Sequence, residues 1–247
     1  MVTAAQIADL RSRGIRIPPI DYRPYLFQVR SQNPFGSCAG FAGATIQEFY
    51  LFRRDGTVKK EHLSSPGFIW HESRITTCDV VGHTNTDASF RKDRDVGVPT
   101  PKDFETLTSK GCCSEQIYKY DFSEKTFPGY TDNNNKINNH YDNNNTIKPT
   151  PAAYAEAQSR KLFSGYERVS DDENQWIADL YNGNILPISV YRYPHNFFTL
   201  GTDAFMDDAD PTDELVCHAM VLVGYLPDMK GKEVFIVRNS WGQIWKE

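Results

Sequence analysis

The sequence has no long apolar run and no excess of basic residues. No stretch of its 247 residues approaches the roughly 18 consecutive apolar residues of a membrane-spanning helix, which argues against a membrane partner. The formal net charge is −5 at pH 7, and a chain without a basic patch is not expected to bind nucleic acid. The composition, with 39% hydrophobic and 24% charged residues, is ordinary for a soluble enzyme.

The cysteines form neither a disulfide framework nor a paired metal-binding motif. Their number is odd and their spacing irregular, unlike secreted disulfide-rich domains or sites built from two C-x-x-C pairs. The adjacent pair at 112 and 113 admits a strained vicinal disulfide, but two reduced thiols in a loop are the expected state. The five cysteines are Cys38, Cys78, Cys112, Cys113 and Cys217.

The sequence also lacks the apolar core of a secretory signal, because arginines interrupt its first 20 residues. This favours a cytoplasmic location over a lysosomal or secreted one. Residues 131–147 are nearly half asparagine, and such a tract buries little apolar surface, so it is expected to form a surface insertion. The sequon at Asn144 would matter only in an exported chain.

A long helix is predicted to begin at Cys38. Apolar or half-apolar side chains recur at steps of three and four residues as far as Phe52, so the helix is expected to be apolar on one face. Ser37 is expected to cap its first turn and Gly56 to end it. A later helix is predicted to begin with a capping box that starts at Ser170.

The last part of the chain indicates three strands, ILPISVYRY, HAMVLVGYL and EVFIVRNSW. The last two are predicted to form an antiparallel hairpin with His218 opposite Asn239. Helices followed by strands predict an α+β fold of two lobes, with the site in the cleft between them. The helical lobe is expected to cover about 37–125 and the β lobe about 148–247.

Cys38 is placed where a thiol can become a nucleophile. Unpaired N–H groups and the helix dipole favour negative charge at a helix start, and this is one recognised way to lower the pKa of a thiol. The alternative is that Cys38 is a small buried apolar side chain, which is the commoner role of a lone cysteine.

A nucleophilic cysteine needs a base and a third group that orients the base. His218 opens a predicted strand, so its imidazole projects from a rigid element, whereas the other histidines are expected to be surface or structural residues. Asn239 ends the paired strand, and the predicted hairpin brings it to the ring of His218. Taken alone, Asn239 is equally typical of a turn.

Three motifs carry these residues in a fixed order along the chain. They are Gln32-NPFGS-Cys38-AG-Phe41, His218-Ala219-MVLV-Gly224-Tyr225 and Asn239-Ser240-Trp241-Gly242. Together they resemble the motifs of the papain, or cathepsin-like, cysteine peptidases. Weaker similarity extends to GCCSEQIYKYD and to DYR near residue 22, so the resemblance covers roughly 20–247.

The resemblance implies a papain-like two-lobed fold and a role for each residue. Cys38 would be the thiolate that attacks a peptide carbonyl, and His218 would act first as acid and then as base. Asn239 would hold the ring of His218, and Gln32 would donate its side-chain amide to the oxyanion beside the backbone N–H of Cys38. Trp241 would shield the bond between His218 and Asn239 from water. Substrate contacts would come from Trp241, Ala219 and Val216.

The resemblance further implies peptide or protein substrates and neither a metal nor an organic cofactor. Two other functions use the same residues: acyl transfer or deamidation, and a catalytically silent relative that keeps the fold for binding. Residues 1–19 suggest a short arm that lies in the cleft as a latch, which predicts self-inhibition.

Three positions depart from the family pattern. Ala39 stands where a tryptophan usually follows the nucleophile, and Phe35 replaces a cysteine that normally forms a disulfide of the helical lobe. Cys217 precedes His218 where many relatives carry Asp or Asn, and we expect its thiol to be buried. The family continues with further strands beyond GQIWKE, so no pocket preference is predicted.

Overall fold

A computed structural model describes residues 1–33, 35–77, 97–98, 100–120, 149–198, 204–206, 208, 210–213 and 215–243. The chain divides into two compact units: a β-rich unit of Met1–Ser31 with Glu167–Glu247, and a helical unit of Gln32–Tyr166. The Asn-rich tract 131–147, its sequon at Asn144 and Cys78 lie outside the described residues.

Along the described chain the helices come before the three long strands, as the sequence predicts, whereas the helix at Pro66–Thr77 and the short strand at Ile20–Asp21 were not predicted. The helices are α1 (Ala4–Ser12), α2 (Cys38–Asp55), α3 (Pro66–Thr77), α4 (Thr100–Ser109), α5 (Pro151–Ser159) and α6 (Glu173–Tyr181). The strands are β1 (Ile20–Asp21), β2 (Leu186–Arg192), β3 (Leu215–Met229) and β4 (Lys232–Arg238). Short 3₁₀ turns cover Arg23–Tyr25 and Lys60–His62.

Helix α2 is the central helix of the helical unit. It starts at Cys38 and ends at Gly56 in the left-handed conformation (φ 69°), as predicted. The prediction of a single apolar face was wrong, because the first twelve residues of α2 are buried on all sides. Small residues allow this: a side chain on Gly40 would come within 2.5 Å of the Pro66 carbonyl, so α3 packs directly on the backbone of α2.

Helix α5 belongs to the helical unit, whereas the sequence assigned residues from 148 onward to the β lobe. The reason is Arg160, which follows α5 and donates hydrogen bonds to the carbonyls of Glu61, His62 and Cys112. In return, Gln47 of α2 donates to the Arg160 carbonyl at 2.8 Å. No local sequence pattern indicates these contacts.

A carboxyl group is buried among these helices. Asp103 lies in the first turn of α4 with 0% exposure, and neither of its oxygens has a hydrogen bond of ordinary geometry within the described chain. Burial raises the pKa of the Asp103 carboxyl to about 8, and the nearby Ser73 hydroxyl offsets part of that rise. The group is therefore protonated in the folded protein at neutral pH.

This burial predicts a pH-dependent stability. The pKa of Asp103 is higher in the folded chain than in the unfolded chain, so its contribution is complete below about pH 4 and is lost as pH rises towards 8. We expect Asp103→Asn to remove this dependence. The difference in unfolding free energy between variant and wild type should grow in favour of the variant by more than about 1 kcal/mol between pH 5 and pH 8.

Urea unfolding at several pH values measures this difference in free energy. Subtracting the wild-type value from the variant value at each pH cancels the contribution of the other titrating groups. Glu105→Gln is the matched control, because Glu105 is a partly exposed carboxylate of the same helix. Parallel stability curves for wild type and Asp103→Asn would show that Asp103 does not retain its proton.

In the β-rich unit all strand pairs are antiparallel and β3 is central. Strand β4 pairs along one edge of β3, and β1 and β2 share the other edge. The predicted hairpin of β3 and β4 is present, but the predicted register was wrong by two residues, because Val221 and not Ala219 faces Arg238. The register is irregular between Leu222 and Gly224 and again near the turn, and a two-residue shift keeps every side chain on its face.

The N-terminal arm packs on this unit through α1. Ile7 and Ile17 are 1% and 2% exposed and lie in one apolar cluster with Ile177 and Leu180 of α6. The side chain of Asn182 binds both the N–H and the carbonyl of Val2, at 2.7 and 2.8 Å. The arm is therefore part of the folded unit.

The start of α6 differs from the prediction. The capping box from Ser170 does not form, because Asp172 is the capping residue and accepts a hydrogen bond from the backbone N–H of Asn174 at 2.9 Å. The Ser170 carbonyl accepts from the indole N–H of Trp176 instead. Two capping residues stood close together in the sequence, and the aspartate caps the helix two residues later.

Candidate active site

Cys38 is the first residue of α2 and is 8% exposed. Ser37 occupies the capping position, as predicted, but its hydroxyl makes no capping bond. The hydroxyl instead lies 2.6 Å from the hydroxyl of Tyr120. The N–H groups of the first turn of α2 are therefore not occupied by the Ser37 side chain.

Gln32 lies in the same unit, six residues before the cysteine. Its side chain is 7% exposed, and its Nε2 donates a hydrogen bond to the Phe35 carbonyl at 2.9 Å. The backbone N–H of Phe35 donates back to the Gln32 carbonyl at 3.0 Å. A side-chain amide has two N–H donors. The bond to the Phe35 carbonyl fixes the direction of one N–H of Gln32 and thereby that of the other.

His218 and Asn239 meet in the β-rich unit, as predicted. Both are buried, and Nε2 of His218 lies 2.7 Å from Oδ1 of Asn239. The backbone N–H of Ser240 also lies 2.7 Å from this Oδ1. An N–H can only donate, so this atom of Asn239 is the oxygen, and His218 donates to it from Nε2. In the neutral ring, Nδ1 then carries the basic lone pair.

Two effects act on the protonation of His218. Burial lowers the pKa of the imidazole, and the hydrogen bond to Asn239 raises it, burial being the larger. The pKa of His218 is therefore below the ordinary value for histidine. A neutral ring with its proton held on Nε2 is the form that accepts a proton at Nδ1.

Aromatic rings surround the bond between His218 and Asn239. Trp241 lies 5.3 Å from the imidazole and Phe197 lies 5.2 Å from Trp241 in an edge-to-face contact. Tyr193 stacks on Phe197 at 4.1 Å, and Phe198 stacks on Trp241 at 5.7 Å. These rings provide the apolar surroundings in which a hydrogen bond is strongest.

Sequence reasoning missed the aromatic residues that follow β2. The segment YPHNFF, residues 193–198, was the available signal, because it places three aromatic side chains within six residues at the end of a predicted strand. Aromatic side chains at a strand end are more often simple core residues, and only the contacts with Trp241 distinguish them here.

The three residues predicted to contact substrate are placed on the same sheet and its exit. Ala219 is 5% exposed and faces Ser189 of β2, and Trp241 follows β4. Val216 lies in β3, and its side chain is outside the part of the chain that the structure describes. Their contact with substrate stays a prediction.

The described cysteines outside the candidate site, Cys112, Cys113 and Cys217, are free thiols. Cys112 and Cys113 are reduced and fully buried in the loop after α4, as expected. The expectation that Cys217 is buried was wrong, because this thiol is exposed. Successive side chains of a strand point to opposite faces, so Cys217 points away from His218. It lies on the same face as Ala219, which is buried.

Among the described residues, no three His, Cys, Asp or Glu side chains are grouped closely enough to hold a metal ion. None of the described helices combines the length and the apolar character needed to cross a membrane.

The arrangement of sequence motifs matches a known family along most of the chain. Residues 18–247 match the model of the papain family of cysteine proteases. The chain belongs to this family. The resemblance drawn from the three motifs is thereby confirmed.

The curated relatives are longer proteins. Fruit bromelain from Ananas comosus is 26% identical over 237 residues, which are 92% of this chain and 52% of fruit bromelain. Ananain from the same organism is 27% identical over 225 residues, which are 89% of this chain and 50% of ananain. The chain thus spans about half the length of the curated relatives it matches.

Solved structures of papain-like proteins share the fold. Xylellain, a cysteine protease from Xylella fastidiosa, has a TM-score of 0.63 and 25% identity, covering 92% of this chain and 75% of xylellain. Bromelain from Ananas comosus, solved with the inhibitor E64, has a TM-score of 0.54 and 22% identity, covering 94% and 86%. The predicted α+β, papain-like fold is confirmed.

Proposed function

We propose that this protein is a cysteine peptidase that hydrolyses peptide bonds of peptide or protein substrates. The observation that carries the proposal is the bond from His218 Nε2–H to Asn239 Oδ1, because it prepares Nδ1 to take a proton from a thiol. Membership of the papain family, together with a cysteine at the start of α2, supports Cys38 as that thiol.

The proposed reaction has two steps. Nδ1 of His218 takes the thiol proton of Cys38, and the sulfur attacks the peptide carbonyl carbon. The carbonyl oxygen becomes an oxyanion that Gln32 and the Cys38 backbone N–H stabilise. The C–N bond breaks, His218 gives its proton to the leaving amine, and an acyl-enzyme remains. Water then attacks the acyl-enzyme while His218 takes its proton, which releases the acid and restores the thiol.

Asn239 holds the ring of His218 throughout, and Trp241 keeps water from their hydrogen bond. Ala219, Val216 and Trp241 are proposed to contact the substrate. Self-inhibition by residues 1–19 stays a prediction. The burial of Ile7 and Ile17 gives the arm a structural role in addition.

The experiment is site-resolved labelling with E64, the inhibitor present in the bromelain structure, combined with assays of peptide hydrolysis. We expect one equivalent of E64 to attach to Cys38 and hydrolysis to stop in proportion. Mass spectrometry identifies the labelled peptide, and the exposed Cys217 serves as the internal control for non-specific reaction.

The same assay separates the competing functions. An acyltransferase would be labelled by E64 and, when an amine is added, would form new amide products without hydrolysing the peptide. Ammonia released from glutamine side chains would identify a deamidase. A folded protein that neither labels nor turns over peptide would contradict the proposal and identify a silent relative.

A further inference from the structure

We propose that the hydroxyl group of Tyr120 is a positioning group that holds Gln32 in place for oxyanion stabilisation. Tyr120 lies 88 residues from Gln32 in the sequence, and its hydroxyl donates to the Gln32 carbonyl at 2.5 Å. This inference rests on the proposed function, because it assigns a role within the reaction described there.

The Tyr120 hydroxyl connects the two ends of the segment that precedes the cysteine. It lies 2.5 Å from the Gln32 carbonyl and 2.6 Å from the Ser37 hydroxyl. The carbonyl only accepts, so the hydroxyl of Tyr120 donates to Gln32 and accepts from Ser37. Two bonds in series with one direction strengthen each other, and together they fix the distance between Gln32 and the residue before Cys38.

The aromatic ring of Tyr120 is itself held firmly. It makes an edge-to-face contact with Phe41 of α2 at 4.7 Å. Its backbone N–H donates to the carboxylate of Glu115 at 2.7 Å, and the backbone N–H of Glu115 donates to the Leu63 carbonyl at 2.8 Å. The hydroxyl thus extends from an anchored residue, as a group must if it is to fix another.

Hydrogen bonds hold both the backbone and the side chain of Gln32. Its carbonyl is held by Tyr120 and its Nε2 is bound to the Phe35 carbonyl, so both the backbone and the amide of the buried side chain have defined positions. An oxyanion donor is effective only when it is oriented before the reaction. Loss of the Tyr120 hydroxyl would remove one of the bonds that hold the Gln32 carbonyl, which also accepts from the Phe35 N–H at 3.0 Å, so the Gln32 backbone would be held less tightly although the amide itself is unchanged.

The test compares two reactions of the same thiol in Tyr120→Phe, a variant that removes only the hydroxyl. Peptide hydrolysis forms an oxyanion, whereas alkylation by iodoacetamide does not, because the thiolate displaces iodide directly. We expect kcat/KM for a peptide amide to fall by about 10–100-fold, mainly in kcat, since small misplacements of reacting groups have effects of this size. The alkylation rate of Cys38, followed by mass spectrometry of its peptide, should change less than about twofold with the same pH profile.

Tyr154→Phe is the matched control. It removes another partly buried hydroxyl of the helical unit, one that donates to Glu72 at 2.6 Å. This control should lower stability without lowering kcat. A double-mutant cycle with Gln32→Ala completes the test: Gln32→Ala alone should cost about 100-fold, and adding Tyr120→Phe to it should cost less than about twofold because the two changes act on one step.

Three results would overturn the inference. They are hydrolysis by Tyr120→Phe at the wild-type rate, an equal loss of hydrolysis and alkylation, and a loss of activity by the same factor in the presence and absence of the Gln32 side chain. Each of these leaves the proposed function intact. A wild type that is alkylated at Cys38 but hydrolyses no peptide or protein substrate overturns the proposed function and this inference with it.

Discussion

Replacing Cys38 with alanine is expected to lower kcat/KM for peptide hydrolysis on the order of 10⁵-fold, with the fold unchanged. The large effect follows from covalent catalysis: without the sulfur no acyl-enzyme forms, and the remaining groups can only assist direct attack by water. Cys38 is 8% exposed at the start of α2, and alanine is a good helix former, so little structural disturbance is expected. Steady-state kinetics on wild type and variant, with circular dichroism as the folding check, measure the effect.

Cys217→Ala provides the control for Cys38→Ala. It removes a second thiol of the same chain, adjacent to His218 but exposed, and should retain activity within about threefold, as surface substitutions usually do. If Cys217→Ala lost activity and Cys38→Ala kept it, the assignment of the nucleophile would be wrong.

The second large effect is expected for His218→Ala, which should lower kcat by about 10²–10⁴-fold. The variant lacks the group that protonates the leaving amine and activates water. It should also change the pH dependence of E64 labelling. Without an imidazolium partner, labelling of Cys38 should require alkaline pH, near the value of about 8.5 typical of an unperturbed thiol, whereas wild type should already label at pH 5 to 6.

His195→Ala is the control for this measurement, because His195 is an exposed histidine of the same unit. Its labelling profile should coincide with that of wild type. Identical profiles for His218→Ala and wild type would show that Cys38 does not depend on His218 for its reactivity, and the proposed pair would have to be abandoned.

Helices and strands of this fold were predictable where the spacing of apolar residues and a nearby terminating residue determine them. Helix α2 has both, because apolar residues recur from Cys38 onward and Gly56 ends it in the left-handed conformation. The hairpin of β3 and β4 was predictable for the same reason, since two apolar runs enclose a turn at Lys230 and Gly231, both of which have positive φ.

Features that depend on tertiary packing were not predictable. The irregularity between Leu222 and Gly224 shifts the hairpin register, yet no residue pattern indicates it. The all-round burial of α2 depends on α3 packing against Gly40. The choice of Asp172 over Ser170 as a cap reflects where the whole of α6 docks, because both residues are good caps when considered alone.

The candidate site divides in the same way. Motifs of fixed order indicate Cys38, His218, Asn239 and Gln32. The predicted hairpin brings His218 to Asn239, and the two side chains share a hydrogen bond. Tyr120 was part of a recognised segment, but its role depends on a contact with a carbonyl 88 residues away. The spacing of residues in the sequence does not predict a contact between residues so far apart.

The β-rich unit is built from both ends of the chain, and this has a consequence for synthesis on the ribosome. Residues 1–31 emerge from the ribosome before residues 32–166, and the α6 residues that bury Ile7 and Ile17 follow only after all of these. The continuous helical unit can fold during translation, since domains generally fold as units from the N-terminus. The apolar side chains of the arm stay exposed to solvent until Ile177 and Tyr225 have been synthesised, because those residues belong to the cluster that buries them. A nascent chain therefore completes the part that carries the thiol well before the part that carries the imidazole.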